Sequence, residues 1–339
     1  MTHQITFRPS GRTAATEAQE TILDAGLRAG LSPVYGCSNG NCGTCKARLI
    51  SGQIEKTRHH DHALSESDKV NGAFLMCANR ALTDIVVAAD VTQGPGDIPI
   101  QQIATRVKAI EHLDPRVANL HLQTPRSTRL RFIPGQSVTL AINDDIQTTV
   151  ALASCPCDDR NLMVHIPNIP GDAFSEHVFD GGLSLRDMVH LRGPETDGFV
   201  FDESDRHHSL VLCWFTGFAP VISLMEHAMS LEVEKDIHLF RFSPTPQRPY
   251  MPNLARSWAD AYDNVFAHLM PDRISLMSTR QDCAAALSTV AAQVPDHAQM
   301  NIYVAGTPSF VEAARDVFDV PGGRPDRIRT HTDWHGFLD

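Results

Sequence analysis

Four cysteines in this sequence are spaced for metal chemistry. Cys37, Cys42 and Cys45 stand as C-x4-C-x2-C within Tyr35-Gly36-Cys37-Ser38-Asn39-Gly40-Asn41-Cys42-Gly43-Thr44-Cys45, and Cys77 follows at a distance in Phe74-Leu75-Met76-Cys77-Ala78. Three thiolates converging from one loop, closed by a fourth from elsewhere, form the ligand set of a [2Fe–2S] cluster. The loop must also wrap closely enough to aim backbone N–H groups at sulfides. Gly36, Gly40 and Gly43 suit that demand, because glycine adopts positive φ and admits close approach. A zinc site would normally show paired C-x2-C knuckles, and a single such pair is present here. The remaining cysteines carry weaker signals. Cys155-Pro156-Cys157 has a proline between its thiols and no helix N-terminus to activate them. Cys213, in an apolar strand, and Cys283, in a helix, read as small buried hydrophobes. Arg58-His59-His60-Asp61-His62 has no supporting ligand at a suitable spacing and reads as a solvated loop before a turn at Ser65-Glu66-Ser67-Asp68.

The elements that must position the cysteines can be read around them. Gln4–Phe7 and Arg12–Thr16 alternate about Pro9-Ser10-Gly11, predicting a hairpin. Glu20 to Gly30 carries Ile22, Leu23 and Leu27 at helical spacing, with Gly30 as the stop. Thr92 to Asp97 is linker material. Beyond it, ATRVKAIEHL, VANLHLQT, QSVTLAI, LMVHI and DMVHLRG alternate between turns, the pattern of a small antiparallel barrel or sandwich. From Ser209 onward strands alternate with helices: LVLCW, then VISLMEHAMSLEV, then strands near 236–242 and 301–304. That alternation predicts an open parallel sheet. At 339 residues with a net charge of −11, the chain is long enough for two or three domains and lacks the basic face that nucleic acid requires. No secretory pattern opens it and no apolar run reaches spanning length, so a cytoplasmic protein without a membrane span is expected.

Residues 1–96 resemble the plant-type [2Fe–2S] ferredoxins throughout, including the hairpin, the ETILDAGLRAG helix and the LMC turn. A second resemblance rests on Phe132-Ile133-Pro134-Gly135-Gln136, Leu152-Ala153-Ser154, Pro170-Gly171-Asp172-Ala173-Phe174-Ser175, Gly193-Pro194, Thr216-Gly217-Phe218-Ala219-Pro220 and Ala305-Gly306-Thr307-Pro308, in that order. These are similar to the ferredoxin–NADP reductase superfamily. With the ferredoxin in front, the chain resembles the reductase components of bacterial oxygenases such as those of benzoate dioxygenase and methane monooxygenase. The resemblance implies three domains: a β-grasp ferredoxin (1–96), an antiparallel β-barrel of flavin-binding type (101–203) and a parallel-sheet α/β domain of nucleotide-binding type (207–339). It also implies an NAD(P)H-dependent oxidoreductase that passes electrons through FAD and the cluster to an oxygenase or similar redox partner.

The resemblance places the FAD and nicotinamide contacts at Gly135, Gln136, Thr148, Val150, Ala151, Gly171, Ser175, Thr216, Gly217, Pro220, Arg241, Gly306, Trp334 and Phe337. Several of these depart from the family. Where the family carries R-x-Y-S for the flavin, this chain has Thr148, Thr149, Val150 and Ala151. Losing a charge-assisted contact to a buried anion costs about 1.5–3 kcal/mol. In the family's G-x-G-x-x-P turn the first glycine is Phe215, and the cysteine of its C-G-P is Ala305. Two further expectations therefore stand beside the reductase. One is a flavin-free electron-transfer protein in which the cluster alone works and electrons come from another protein. The other is a regulatory subunit whose cluster senses redox state.

Overall fold

The computed structural model describes the chain except for residues 1, 18, 30, 60, 93–97, 127, 196–197, 202–204, 244–248, 271–273, 276–277, 325 and 333–339. The expected helix stop at Gly30, the linker at 93–97 and the aromatic pair Trp334 and Phe337 thus lie outside the described residues. The chain forms two compact units. One comprises Met1–Ile103 with Thr124–Ile133 and Pro156–Arg160, and the other holds the rest.

In the first unit the strands and helices are β1 (Gln4–Arg8), β2 (Thr13–Ala15), α1 (Ile22–Arg28), β3 (Ser32–Pro33), β4 (Lys46–Ser51), β5 (Ile54–Lys56), α2 (Glu66–Val70), β6 (Ala73–Leu75), β7 (Asn79–Ala81), β8 (Ile85–Ala88) and β9 (Val91–Thr92). The main sheet runs β2-β1-β8-β4-β6, with β1 and β8 parallel and α1 across its face, a β-grasp arrangement. The hairpin forms as expected, with Ile5 opposite Ala14. Helix α1 is set by Thr21, whose hydroxyl accepts from the Asp24 N–H, an N-cap that satisfies an otherwise orphaned donor. Ile22 and Leu23 then face Ile5, Phe7, Phe74 and Val87 in one apolar core. The expected turn at Ser65–Asp68 is instead the start of α2. Ser65 and Asp68 form a reciprocal capping box there, which turns a polar stretch into a helix N-terminus.

The second unit contains two sheets. The barrel strands are β10 (Gln101–Asp114), whose first three residues belong to the first unit, β11 (Val117–Gln123), β12 (Ser137–Ala141), β13 (Gln147–Ala151), β14 (Asn161–Pro167) and β15 (Met188–Glu195), with α3 (Ala173–Phe179) before the last. Their order is β13-β12-β15-β10-β11-β14, and a bridge between Leu152 and Val164 brings the two ends almost to closure. Alternating burial along β11 and β15 puts the apolar side chains inside. The α/β sheet follows: β16 (Ser209–Trp214), α4 (Phe218–Ser230), β17 (Ile237–Phe242), α5 (Leu254–Ala261), β18 (Val265–Met270), α6 (Arg280–Gln293), β19 (Asn301–Gly306), α7 (Pro308–Phe318) and β20 (Ile328–Thr332). All five strands are parallel in the order β18-β17-β16-β19-β20. The strand order reverses at β16 and β19, whose carboxyl ends carry the Thr216–Pro220 and Ala305–Pro308 motifs; such a switch point is where open α/β sheets leave a crevice.

Candidate functional site

The loop between β3 and β4 brings Cys37, Cys42 and Cys45 to Cys77, which sits in a short 3-10 turn after β6. Cys45 and Cys77 are 1% and 2% exposed, whereas Cys42 reaches the surface. The thiols form two pairs. Cys45 Sγ and Cys77 Sγ are hydrogen-bonded at 3.1 Å, and the N–H groups of Cys37 and Cys42 each donate to the other's sulfur at 3.3 Å. Two thiolates per iron is the division that a two-iron cluster needs. Among the described residues, no group of three His, Cys, Asp or Glu side chains is laid out for a single metal ion.

The glycines explain how the loop closes. Gly40 and Gly43 lie at φ +89° and +76°, and Ser38 shares that region at +56°. A Cβ on Gly43 would sit 2.8 Å from the carbonyl oxygen of Ala63, and one on Gly36 would sit 3.1 Å from Cys42 Sγ. Thr44 N–H also points at Cys42 Sγ, at 3.5 Å, and the Gly40 backbone hydrogen-bonds to Cys77. These donors stabilise thiolate. Burial raises the Cys42 thiol, but hydrogen bonds from the Thr44 side chain and the Cys37 and Thr44 backbone outweigh it and bring the pKa down to about 7. The hydrogen bond shared with Cys77 holds Cys45 below the ordinary thiol range, and the same bond, with burial, pushes Cys77 up. The donor set and the N–H groups around it fit a [2Fe–2S] cluster.

The positions expected to meet flavin are brought onto the barrel, with other partners. Gly135 has φ +93°, and its missing Cβ leaves room for the Phe199 carbonyl oxygen, which would lie 2.0 Å from it. That glycine serves packing. Gln136 is buried, and its carbonyl accepts from Leu152 N–H. On β13, Thr148 is half-buried, Val150 and Ala151 are buried, and Thr149 hydrogen-bonds Thr139 at 3.0 Å. Gly171 and Ser175 lie at the start of α3, yet their N–H groups are taken by carboxylates: Glu176 accepts from Gly171 at 3.0 Å and Asp172 from Ser175 at 2.7 Å. The Ser175 hydroxyl joins Ile169 N–H to the Pro167 carbonyl. The backbone frame of an anion site is present, and two carboxylates of the chain hold it.

The nicotinamide positions are filled by the chain as well. A Cβ on Gly217 would fall 2.3 Å from the Ala305 carbonyl oxygen, and one on Gly306 2.9 Å from the Phe310 ring. Thr216 and Pro220 are buried beside them. Phe215, standing for the family's first glycine, retains that residue's backbone region at φ +49° and packs its ring against Trp214 and Tyr250. Arg241 is among the contacts that the resemblance implies. It lies inside β17, 1% exposed, with its guanidinium 3.6 Å from the Phe218 ring centre and its Nη atoms donating to the carbonyls of Tyr250 and Met251. Burial holds its pKa below the usual arginine range. As arranged here, these side chains are engaged with one another and with the backbone. Sequence reasoning did not find Tyr250, which meets Arg241, Phe215 and His165 from a distant loop that no spacing rule marks.

Comparison with known proteins agrees with the fold. Residues 5–82 match the 2Fe-2S iron-sulfur cluster binding domain. The chain is 28% identical over 319 residues to the CDP-6-deoxy-L-threo-D-glycero-4-hexulose-3-dehydrase reductase of Yersinia pestis, covering 94% of each. It is 24% identical over 334 residues to the reductase component of propane 2-monooxygenase from Rhodococcus jostii, covering 96% of this chain and 90% of that one. Among solved structures, an Amycolatopsis cytochrome P450 reductase (TM-score 0.59, 22% identity, 97% and 98% covered) and the ferredoxin reductase of carbazole 1,9a-dioxygenase (TM-score 0.57, 21% identity, 98% of each covered) share the architecture. The chain thus carries a 2Fe-2S iron-sulfur cluster binding domain over residues 5–82 and, along its length, is similar to reductases that share its architecture.

Proposed function

We propose that the chain is the reductase component of a multicomponent system, in which electrons from NAD(P)H pass by way of a flavin to the [2Fe–2S] cluster and on to an oxygenase or similar redox partner. The observation that carries this reading is the four-thiolate site in the same chain as a nearly closed barrel and a parallel α/β sheet. When bound, a flavin converts a hydride's electron pair into single electrons, and a [2Fe–2S] cluster carries them one at a time. The chain's own part is legible at the cluster end. Cys37, Cys42, Cys45 and Cys77 would hold the irons, the loop N–H groups would offset the negative charge of the sulfurs, and Cys42 is the exposed ligand, on the side a redox partner could approach. All eight cysteines are free of disulfides, in keeping with the cytoplasm. Among the described residues no helix is long and apolar enough to cross a membrane. The domains we assign are 1–96, 101–203 and 207–339.

A second reading is favoured by the carboxylates on Gly171 and Ser175 and by buried Arg241: the rear domains bind neither flavin nor nicotinamide, and the cluster takes its electron from another protein. Acid extraction of the purified protein separates the two. Near-stoichiometric FAD, together with bleaching of the cluster by NADH under anaerobic conditions, supports the first reading. Iron and sulfide without flavin overturn it.

A further inference from the structure

The loop that carries the cluster begins at a buried polar network which the sequence did not reveal. Tyr35, two residues before Cys37, is 6% exposed, and its hydroxyl is hydrogen-bonded to the carboxylate of Asp159. Asp159 also accepts from Arg129 Nη1 at 3.2 Å, each of these two side chains being 14% exposed. Arg129 Nε is buried without a hydrogen-bond partner among the described residues. Arg131 lies close enough to bear on Tyr35, and its backbone is fixed on both sides by Gln101, at 3.0 Å and 2.8 Å. Thr124 completes the frame, its N–H donating to the Arg160 carbonyl and its hydroxyl to that of Asp159. The segments that supply these groups, 124–133 and 156–160, are distant in sequence from the cluster loop yet pack with it in one compact unit.

This arrangement is costly unless it serves something. Burial raises the Asp159 carboxyl and lowers the Arg131 guanidinium. A buried ion pair is frequently matched by apolar residues of similar volume, so its presence calls for a role other than stability. The network sets two cations, Arg129 and Arg131, against Asp159 and the neighbouring Asp158, beside a loop whose cluster becomes more negative on reduction. In a region of low dielectric charge interactions reach further than in water.

We propose that Tyr35, Asp159, Arg129 and Arg131 form a positioning network that fixes the entrance of the cluster loop and sets how strongly the cluster holds its electron. Tyr35 and Asp159 supply the geometry; the two arginines supply the charge. This rests on the cluster assignment and not on whether the rear domains bind flavin or nicotinamide.

The test uses the full-length, cluster-loaded protein and reads the midpoint potential by spectroelectrochemistry and the reduced cluster by electron paramagnetic resonance. Arg129→Gln or Arg131→Gln removes positive charge, and each should lower the cluster's affinity for its electron about threefold or more. Asp159→Asn removes negative charge and should raise that affinity by a similar factor. A tenfold change corresponds to 59 mV for one electron. Tyr35→Phe should alter the spectrum of the reduced cluster, and its effect should not add to that of Asp159→Asn, because the two remove the same contact. Variants retaining full visible absorbance but wild-type potentials and spectra overturn the proposal. So do shifts of the same sign for the arginine and aspartate variants. Should Tyr35→Phe lose the cluster through misfolding, the opposed signs of Arg131→Gln and Asp159→Asn still decide the matter.

Discussion

At the scale of single residues, the cluster site shows the limit of what types and spacing disclose. The four cysteines were legible because three ligands from one loop and one from outside leave little choice of arrangement. The glycines among them were legible for a related reason, and one makes a direct prediction. Gly43→Ala meets both a left-handed φ and the Ala63 carbonyl, at a cost of about 1–3 kcal/mol, and should lower iron content after anaerobic reconstitution. Gly11→Ala is the control: it has a similar φ of +73° but nothing within 4 Å of the added Cβ, so the protein should keep its iron with only a small loss of stability. Where sequence reasoning missed a contact, burial by a distant element was responsible. Gly135 lies against Phe199, and Arg241 is enclosed by Phe218 and Tyr250. Neither neighbour can be inferred from local pattern. Tyr35 and Asp159, 124 residues apart, illustrate the same blindness for polar contacts.

At the scale of elements, strand periodicity and turn residues were enough to predict a small antiparallel barrel or sandwich followed by a parallel sheet, because alternation and βα repetition survive changes of side chain. The side chains at the element ends did not follow. The turn from β16 into α4 keeps the glycine-dependent path, yet its surface is sealed: Gly217 abuts the Ala305 carbonyl at the switch point. Gly217→Ala therefore drives a Cβ into backbone that cannot move without shifting β19. The variant should lose roughly 1–3 kcal/mol, seen as a lower melting temperature, whether or not any nucleotide is added. The opposite end of the sheet gives a pH-dependent test. Asp205 accepts from the His207 N–H at 2.9 Å and from Arg324 Nη2 at 2.8 Å, joining the approach to β16 with the segment before β20. Burial pulls its carboxyl up, but these hydrogen bonds outweigh it and hold the pKa well below the ordinary carboxylate range. A carboxyl depressed in the folded state stabilises fully above its unfolded pKa, about 4, and loses that contribution as the pH falls through the folded value. Asp205→Asn should melt below the wild type at pH 7, with the gap closing progressively below about pH 4.

At the scale of the whole molecule, charge and core are both unevenly distributed. Residues 1–92 carry nine acidic and nine basic side chains, so the net charge of −11 belongs to the remainder. The ferredoxin segment therefore adds no net repulsion of its own toward an acidic acceptor. Two separate apolar cores accompany the division: one drawn from residues 5–91, around Phe7, Phe74 and Val87, and one around the α/β sheet. Separate cores permit separate unfolding, and a chain with two such units need not behave as two-state. Metal ligation contributes free energy only to the unit that holds it, because the ligands are gathered by that unit's folding. Removing iron and sulfide should consequently shift one calorimetric transition and leave the other in place. Asp205→Asn should move the other and spare the first. A single transition displaced as a whole by cluster removal would show that the two cores unfold together, and a cluster-free protein with unchanged transitions would show that the four-thiol loop closes without help from the metal.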